Sequence, residues 1–190
     1  MKLKNIIIPL SMLFTSTLLA NTVLPEVNTT PTDIEITSKE GGKVSDGSTW
    51  NSKEMKGFPW ILFYVDPDES DLNEELTERF KKEGINPSYM ESVAVINLAA
   101  TWKPNSIIGL ILASKQKEFP KTLYVEDENS KLVKGWKLKD DDYVVIYFDK
   151  TNKVLFRKTG KFTTKDIDDL LKIIKDNAPK DAKPEFPNKK

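Results

Sequence analysis

Trp60-Ile61-Leu62-Phe63-Tyr64-Val65 is an unbroken apolar run between Pro59 and Asp66-Pro67, the pattern of a strand buried on both faces. Val93 to Leu98 and Tyr143 to Phe148 read the same way. Between these runs the spacing changes from continuous to helical. Leu72, Leu76 and Phe80 form one stripe, with Ser70 placed to cap and Gly84 to stop the helix. Glu75 with Arg79, and Glu78 with Lys82, support its wet side as i,i+4 pairs. Asn105 to Glu118 predicts a second helix, with Ile107, Ile108, Ile111 and Leu112 on one face. Thr163 caps a last helix whose Ile167, Leu170, Leu171 and Ile174 make a clean amphipathic face.

Weaker signals fill the gaps. Ile34 to Thr37 alternates as a strand does, and turns follow at Gly41-Gly42 and Asp46-Gly47. Trp50 to Lys56 predicts a short helical turn, Lys121 to Val125 a short strand, and Asn129 to Leu138 a short helix or irregular segment. Lys150-Thr151-Asn152 turns the chain into a strand at Val154 to Arg157. Strands alternating with helices, then a hairpin and a final helix, specify an α/β sandwich. The helical connections make the early strands parallel, and the tight turn makes the last pair antiparallel, so the sheet is mixed.

The first twenty residues stand apart. Lys2 and Lys4 precede an apolar stretch from Ile6 to Leu19 that Pro9, Ser11, Thr15, Ser16 and Thr17 dilute, and Ala20 offers a small residue at a cut. That order predicts a secretory signal peptide over residues 1–20 and a periplasmic address. The stretch is shorter than the ~20 apolar residues of a membrane helix, so no stable insertion is expected after cleavage. Residues 21–48 then form a lead-in with one possible strand, 49–177 the main domain, and 178–190 a Lys/Pro-rich tail expected to be disordered.

Composition narrows the chemistry. The chain has no cysteine and no histidine. Thiolate nucleophiles, disulfides, Cys-ligated metals, His-ligated metals and Ser-His-Asp catalysis are therefore all excluded. Its 29 basic and 29 acidic residues balance, and loss of Lys2 and Lys4 leaves a net charge of −2. That gives no drive toward nucleic acid.

The stretch Met55-Lys56-Gly57-Phe58-Pro59-Trp60 with its strand, and Phe119-Pro120-Lys121-Thr122-Leu123-Tyr124-Val125, resemble the thioredoxin superfamily branch of TlpA and the peroxiredoxins. Three further blocks resemble the YtfJ family more closely: Ser114 to Pro120, Gly135-Trp136-Lys137-Leu138, and Val144 to Lys150. The resemblance spans roughly residues 49–177. It implies a thioredoxin-like three-layer α/β/α sandwich and an exported bacterial protein, and it supplies no catalytic residue set. Against redox-active relatives, Glu69 and Leu72 stand about where a Cys-x-x-Cys pair would lie, and Tyr143 about where a flanking proline would lie.

The candidate binding residues are Asp66, Asp68, Glu69, Tyr143 and Trp136. The acids follow the first strong strand, where α/β folds place ligands, although carboxylates there also simply complement a helix N-terminus. Trp102 and Trp136 lie in connections, where an aromatic either pins a loop or offers a surface; pinning is the expectation for both. The basic run Lys131 to Lys139 is expected to be a solvated edge, and Glu126 to Asn129 an exposed turn. Asp66, Asp68 and Ser70 fit a calcium loop only in part, because Asp71 and Thr77 replace its glycine and its last glutamate. No metal and no cofactor are expected. The leading expectation is a non-redox binding module for an envelope protein or peptide. The alternative is a magnesium-dependent phosphohydrolase using Asp66 and Asp68, since strand-Asp-x-Asp resembles the haloacid-dehalogenase nucleophile motif.

Overall fold

A computed structural model describes residues 24–186. The expected leader, residues 1–20, lies outside the described residues, as do the last four residues of the tail. The described elements run β1 (Glu35–Ile36), β2 (Gly41–Lys43), β3 (Trp50–Asn51), β4 (Trp60–Val65), α1 (Glu74–Lys82), β5 (Glu91–Asn97) and α2 (Asn105–Glu118). They continue with β6 (Thr122–Asp127), α3 (Lys131–Trp136), β7 (Tyr143–Phe148), β8 (Val154–Thr159) and α4 (Thr164–Asn177).

Six strands form one sheet in the order β2-β6-β5-β4-β7-β8, and β1 pairs β3 in a separate two-stranded ribbon. The sheet is mixed, as the connections require. β4-β5 and β5-β6 are parallel, while β4-β7, β7-β8 and β2-β6 are antiparallel. The two crossovers step the same way across the sheet, so right-handed connection sets α1 and α2 on one face. α4 joins them there.

Alternation along each strand fills both faces. Ile61 and Val65 of β4, Ala94 and Ile96 of β5, and Val145 and Tyr147 of β7 meet Leu76 of α1, Ile108 and Leu112 of α2, and the Ile167, Leu170, Leu171 and Ile174 stripe of α4. Trp60, Leu62, Tyr64, Val93, Val95, Val144, Ile146 and Phe148 face the other way, toward Trp50, Met55, Leu132 and Trp136. That second outer layer is thin: α3, the ribbon, and a single 3-10 turn at Ser52–Met55.

The lead-in is not separable from the domain. Ile34 and Ile36 are in the core, and β2 extends the sheet edge. Gly41 (φ 118°) is needed there, because a Cβ would lie 2.1 Å from the Glu126 carbonyl oxygen. Nor is the tail loose through residue 186. The Glu185 amide donates to the Gly84 carbonyl (3.0 Å), and Asn86 Nδ2 donates to the Lys183 carbonyl (2.7 Å). Gly84 (φ 69°) stops α1 in a left-handed conformation, and its bare Cα admits Pro184, whose Cβ would be 2.8 Å from an added methyl.

Candidate functional site

The carboxyl ends of the parallel strands β4, β5 and β6, with the antiparallel start of β7, meet at one edge of the sheet. That edge carries Asp66, Asp68, Asn97, Asp127, Ser130 and the Asp140-Asp141-Asp142 run. It is the edge where α/β folds hold ligands.

Here most of those groups answer one another. Asp66 is buried and accepts from the Asp68 amide (2.8 Å), capping a 3-10 turn over Pro67–Glu69. Its own amide donates to the Asp142 carbonyl (3.0 Å). Burial raises the Asp66 pKa above its ordinary value, and the charges of Asp68, Asp141 and Glu69 push it the same way. Asp68 moves the other way. Lys103 bonds Oδ1 and Thr101 donates to Oδ2 (2.9 Å), and together these lower its pKa. Two neighbouring carboxylates displaced in opposite directions is the pattern of an acid/base pair. Both oxygens of Asp68 and the Oδ1 of Asp66 are already engaged, however. Among the described residues no group of three or more acids is arranged to hold a metal ion.

α1 begins later than Ser70 predicts. Ser70 Oγ turns to Asp71 Oδ1 (3.2 Å), and Asn73 occupies the N-cap position. Asn73 does not cap with its side chain either. Its Nδ2 donates to the Gly160 carbonyl (3.2 Å) and its Oδ1 accepts from the Phe162 amide (2.8 Å), tying α1 to the segment between β8 and α4. Glu69 and Leu72 thus lie in a turn ahead of the helix rather than in its first turn.

The aromatic residues divide between core and surface. Trp136 is fully buried against Phe148 and donates from Nε1 to the Thr32 carbonyl (2.7 Å), so it pins the lead-in and offers no surface. Tyr143 is almost wholly buried, packed edge-on against Phe63, and burial raises its pKa. Neither residue lines an open site. Trp102, expected to pin, is 86% exposed.

The turn after β6 also differs from its expectation. Asp127 is buried, and accepts from the Lys131 amide (2.8 Å), the Leu132 amide (3.2 Å) and the Tyr64 hydroxyl (3.2 Å). Beside it Asn97 donates to Asp140 (2.6 Å) and accepts from Ser130 Oγ (2.9 Å). Tyr64 on β4, Asn97 on β5, Asp127 on β6 and Ser130 at the head of α3 lock this end of the sheet.

The open surface lies on α2. Of its apolar residues only Ile108 and Leu112 are buried; Leu110 is 75% exposed, Ile107 51% and Ile111 50%. Trp102 precedes this face and exposed Phe119 follows it. The signal was in the sequence. No charged residue stands between Asn105 and Ser114, so the helix is apolar on more sides than one buried stripe can use.

The comparisons agree with this architecture. A family model described as "Bacterial protein of unknown function (YtfJ_HI0045)" matches residues 19–177. The chain is 25% identical over 141 residues to an uncharacterized protein of Haemophilus influenzae, covering 70% of this chain and 74% of that one. It is 22% identical over 129 residues to the uncharacterized protein YtfJ of Escherichia coli, covering 66% and 70%. Among solved structures, a thiol peroxidase from Chromobacterium violaceum superposes with a TM-score of 0.58 at 11% identity, covering 82% of this chain and 89% of that one. A thiol-disulfide isomerase from Corynebacterium glutamicum gives 0.53 at 12% identity, covering 85% and 99%. These structures share the thioredoxin-like fold, and the thiol chemistry in their names has no residue to carry it in a chain without cysteine. The family model, which spans residues 19–177, places this chain in the YtfJ family.

Proposed function

We propose that this chain is an exported interaction module, a thioredoxin-like scaffold that binds a protein partner in the cell envelope and performs no thiol chemistry. One observation carries the reading: the Ile107, Leu110 and Ile111 face of α2, with Trp102 at its head, is apolar, contiguous and uncovered. Single exposed apolar residues are ordinary, whereas a patch of several large ones on one helix marks a contact surface. The corner that serves catalysis in redox relatives supports the reading from the other side, since its carboxylates are engaged in their own turn and with Lys103. Residues 1–20 have the charge, apolar run and small residue of a leader, which supports a partner in the cell envelope.

Affinity capture from envelope extract tests this. The wild-type protein should retain a protein that Leu110→Asp, equally folded, does not. Retention of nothing, or of the same proteins by both, overturns it. The phosphohydrolase alternative is separated cheaply: magnesium-dependent turnover of a generic phosphate ester that vanishes in Asp66→Asn would establish it, and no turnover removes it.

A further inference from the structure

We propose that the partner of α2 is a second copy of this chain, the two helices packing antiparallel about a two-fold axis near Leu110. The inference rests on the reading of α2 as the interaction surface, and adds what covers it.

Ile107, Leu110, Ile111 and Ser114 are spaced i, i+3, i+4 and i+7, the ridge that one helix sets into the groove of another. α2 has 14 residues, so the seam is about 21 Å long. Its outward residues from Asn105 to Ser114 bear no charge that would have to be desolvated.

Charge selects the occupant. The two ends of the patch have opposite sign. At the N-terminal end Asp68 accepts from Thr101 and is ion-paired with Lys103, which leaves Glu69 and Asp71, next along the same acidic loop, as the excess charge near the helix start. At the C-terminal end stand Lys115, Lys117 and Lys121, with Glu118 the one acid among them; Lys115 also lies over the Phe119 ring at 5.4 Å. An anionic lipid surface would meet the acidic loop, and a partner of one charge would suit only half of the patch. An antiparallel copy of the same surface suits both halves: each basic end faces an acidic end, as a two-fold interface requires. A parallel copy would set like against like.

Five partly or largely exposed large apolar residues make a patch on the order of 500 Å², below the ~800 Å² per partner of a standard stable interface. The dimer is therefore expected to be of the weak class, forming at about micromolar concentration.

The absence of cysteine makes a clean test possible, because an introduced thiol is the sole one. Sedimentation of the purified protein should show a monomer–dimer equilibrium that Leu110→Asp abolishes without lowering Tm. Leu110→Cys, close to the axis, should cross-link to itself under mild oxidation. Ser106→Cys and Ser114→Cys lie four residues to either side. They should each cross-link poorly alone and readily when mixed. A monomer up to about 100 µM overturns the dimer. If envelope capture then still depends on Leu110, the interaction reading stands and only the identity of the partner falls. A dimer indifferent to Leu110→Asp also overturns the proposal, as does Ser106→Cys pairing with itself in preference to Ser114→Cys. Cosedimentation with anionic vesicles that Leu110→Asp abolishes would assign the face to lipid and overturn it equally.

Discussion

α2 and α4 are each 14 residues long and lie on the same face of the sheet, yet they are built on opposite plans. α4 is closed at its start by a reciprocal box in which Thr163 and Asp166 each bond the other's backbone. It buries Ile167, Leu170, Leu171 and Ile174, and its wet side is laced by Lys165–Asp169 and Lys172–Asp176 at 2.5 Å. α2 starts after Pro104 with no side-chain cap, and buries two residues while exposing three large ones. Most helical stability in proteins comes from burying an apolar face rather than from propensity. α4 obtains that within the chain. α2 obtains only part of it, and the remainder is available to another molecule.

The sharpest way to break this contrast is to place the same charge in each helix. Leu171→Asp sets an unpaired carboxylate in the core and should unfold a domain of ordinary marginal stability, with loss of the cooperative melt followed by circular dichroism. Truncating Leu170 to Ala should cost about 2–5 kcal/mol. Leu110→Asp should change stability by no more than about 0.5 kcal/mol, since its side chain already faces water. Equal losses at positions 110 and 171 would mean that α2 is packed as α4 is, and would end the comparison.

A smaller effect distinguishes the two helix starts. Thr163→Ala should cost about 0.5–2 kcal/mol by denaturant titration. Thr163, with Lys158, pulls the Asp166 pKa down to about 2 from its ordinary 3.8. A depressed acid contributes stability that is fully present above its unfolded value and is lost as pH falls through its folded one. The gap between wild type and Thr163→Ala should therefore be constant above pH ~5 and narrow between pH ~4 and ~2. A gap that ignores pH would remove Asp166 from the cap.

Smaller again, and of opposite sign, is Gly109→Ala within α2. Glycine costs a helix interior about 1 kcal/mol against alanine, and an added Cβ would lie 3.2 Å from Glu126 Oε1, the free tip of a half-buried side chain. A gain of about 0.5–1 kcal/mol is expected. A loss would show that α2 sits too tightly on β6 to admit a methyl.

Legibility from sequence followed the same divide. β4, β7, α2 and α4 stand where the apolar runs and helical spacing set them, because each pattern is local and answered within the chain. The fold class was readable for that reason. The errors are tertiary. Ser70 resembles a cap, but Asn73 is drawn to the Gly160–Phe162 segment far along the chain, and α1 starts late. Trp102 and Trp136 have similar local settings. The lead-in crosses Trp136 at Thr32, whereas Trp102 is left 86% exposed. Asp127 reads as part of an acidic turn, and only the meeting of β6 with Tyr64 and α3 makes it a buried acceptor. The acidic loop lies at the end of β4 as its sequence position requires, but the partners that occupy it, Thr101 and Lys103, belong to the approach to α2.

That loop gives the last and smallest test. Asp66 has a raised folded pKa, so the sign is the reverse of Asp166: stability is fullest below its ordinary value of 3.8 and declines as pH rises through the folded one. At neutral pH its charge is a cost, imposed by burial and by Asp68, Asp141 and Glu69. In Asp66→Asn the amide oxygen can still accept from the Asp68 amide, so the turn and its hold on Lys103 at the head of α2 should survive. The variant should melt no lower than wild type at pH 7, and its small advantage should vanish on titration toward pH ~3. Dimerisation through α2 should be unaffected. A marked fall in Tm would show that the carboxylate itself is needed. In that case the acidic corner, and not α2, would be the part of this scaffold whose requirements the fold leaves unmet.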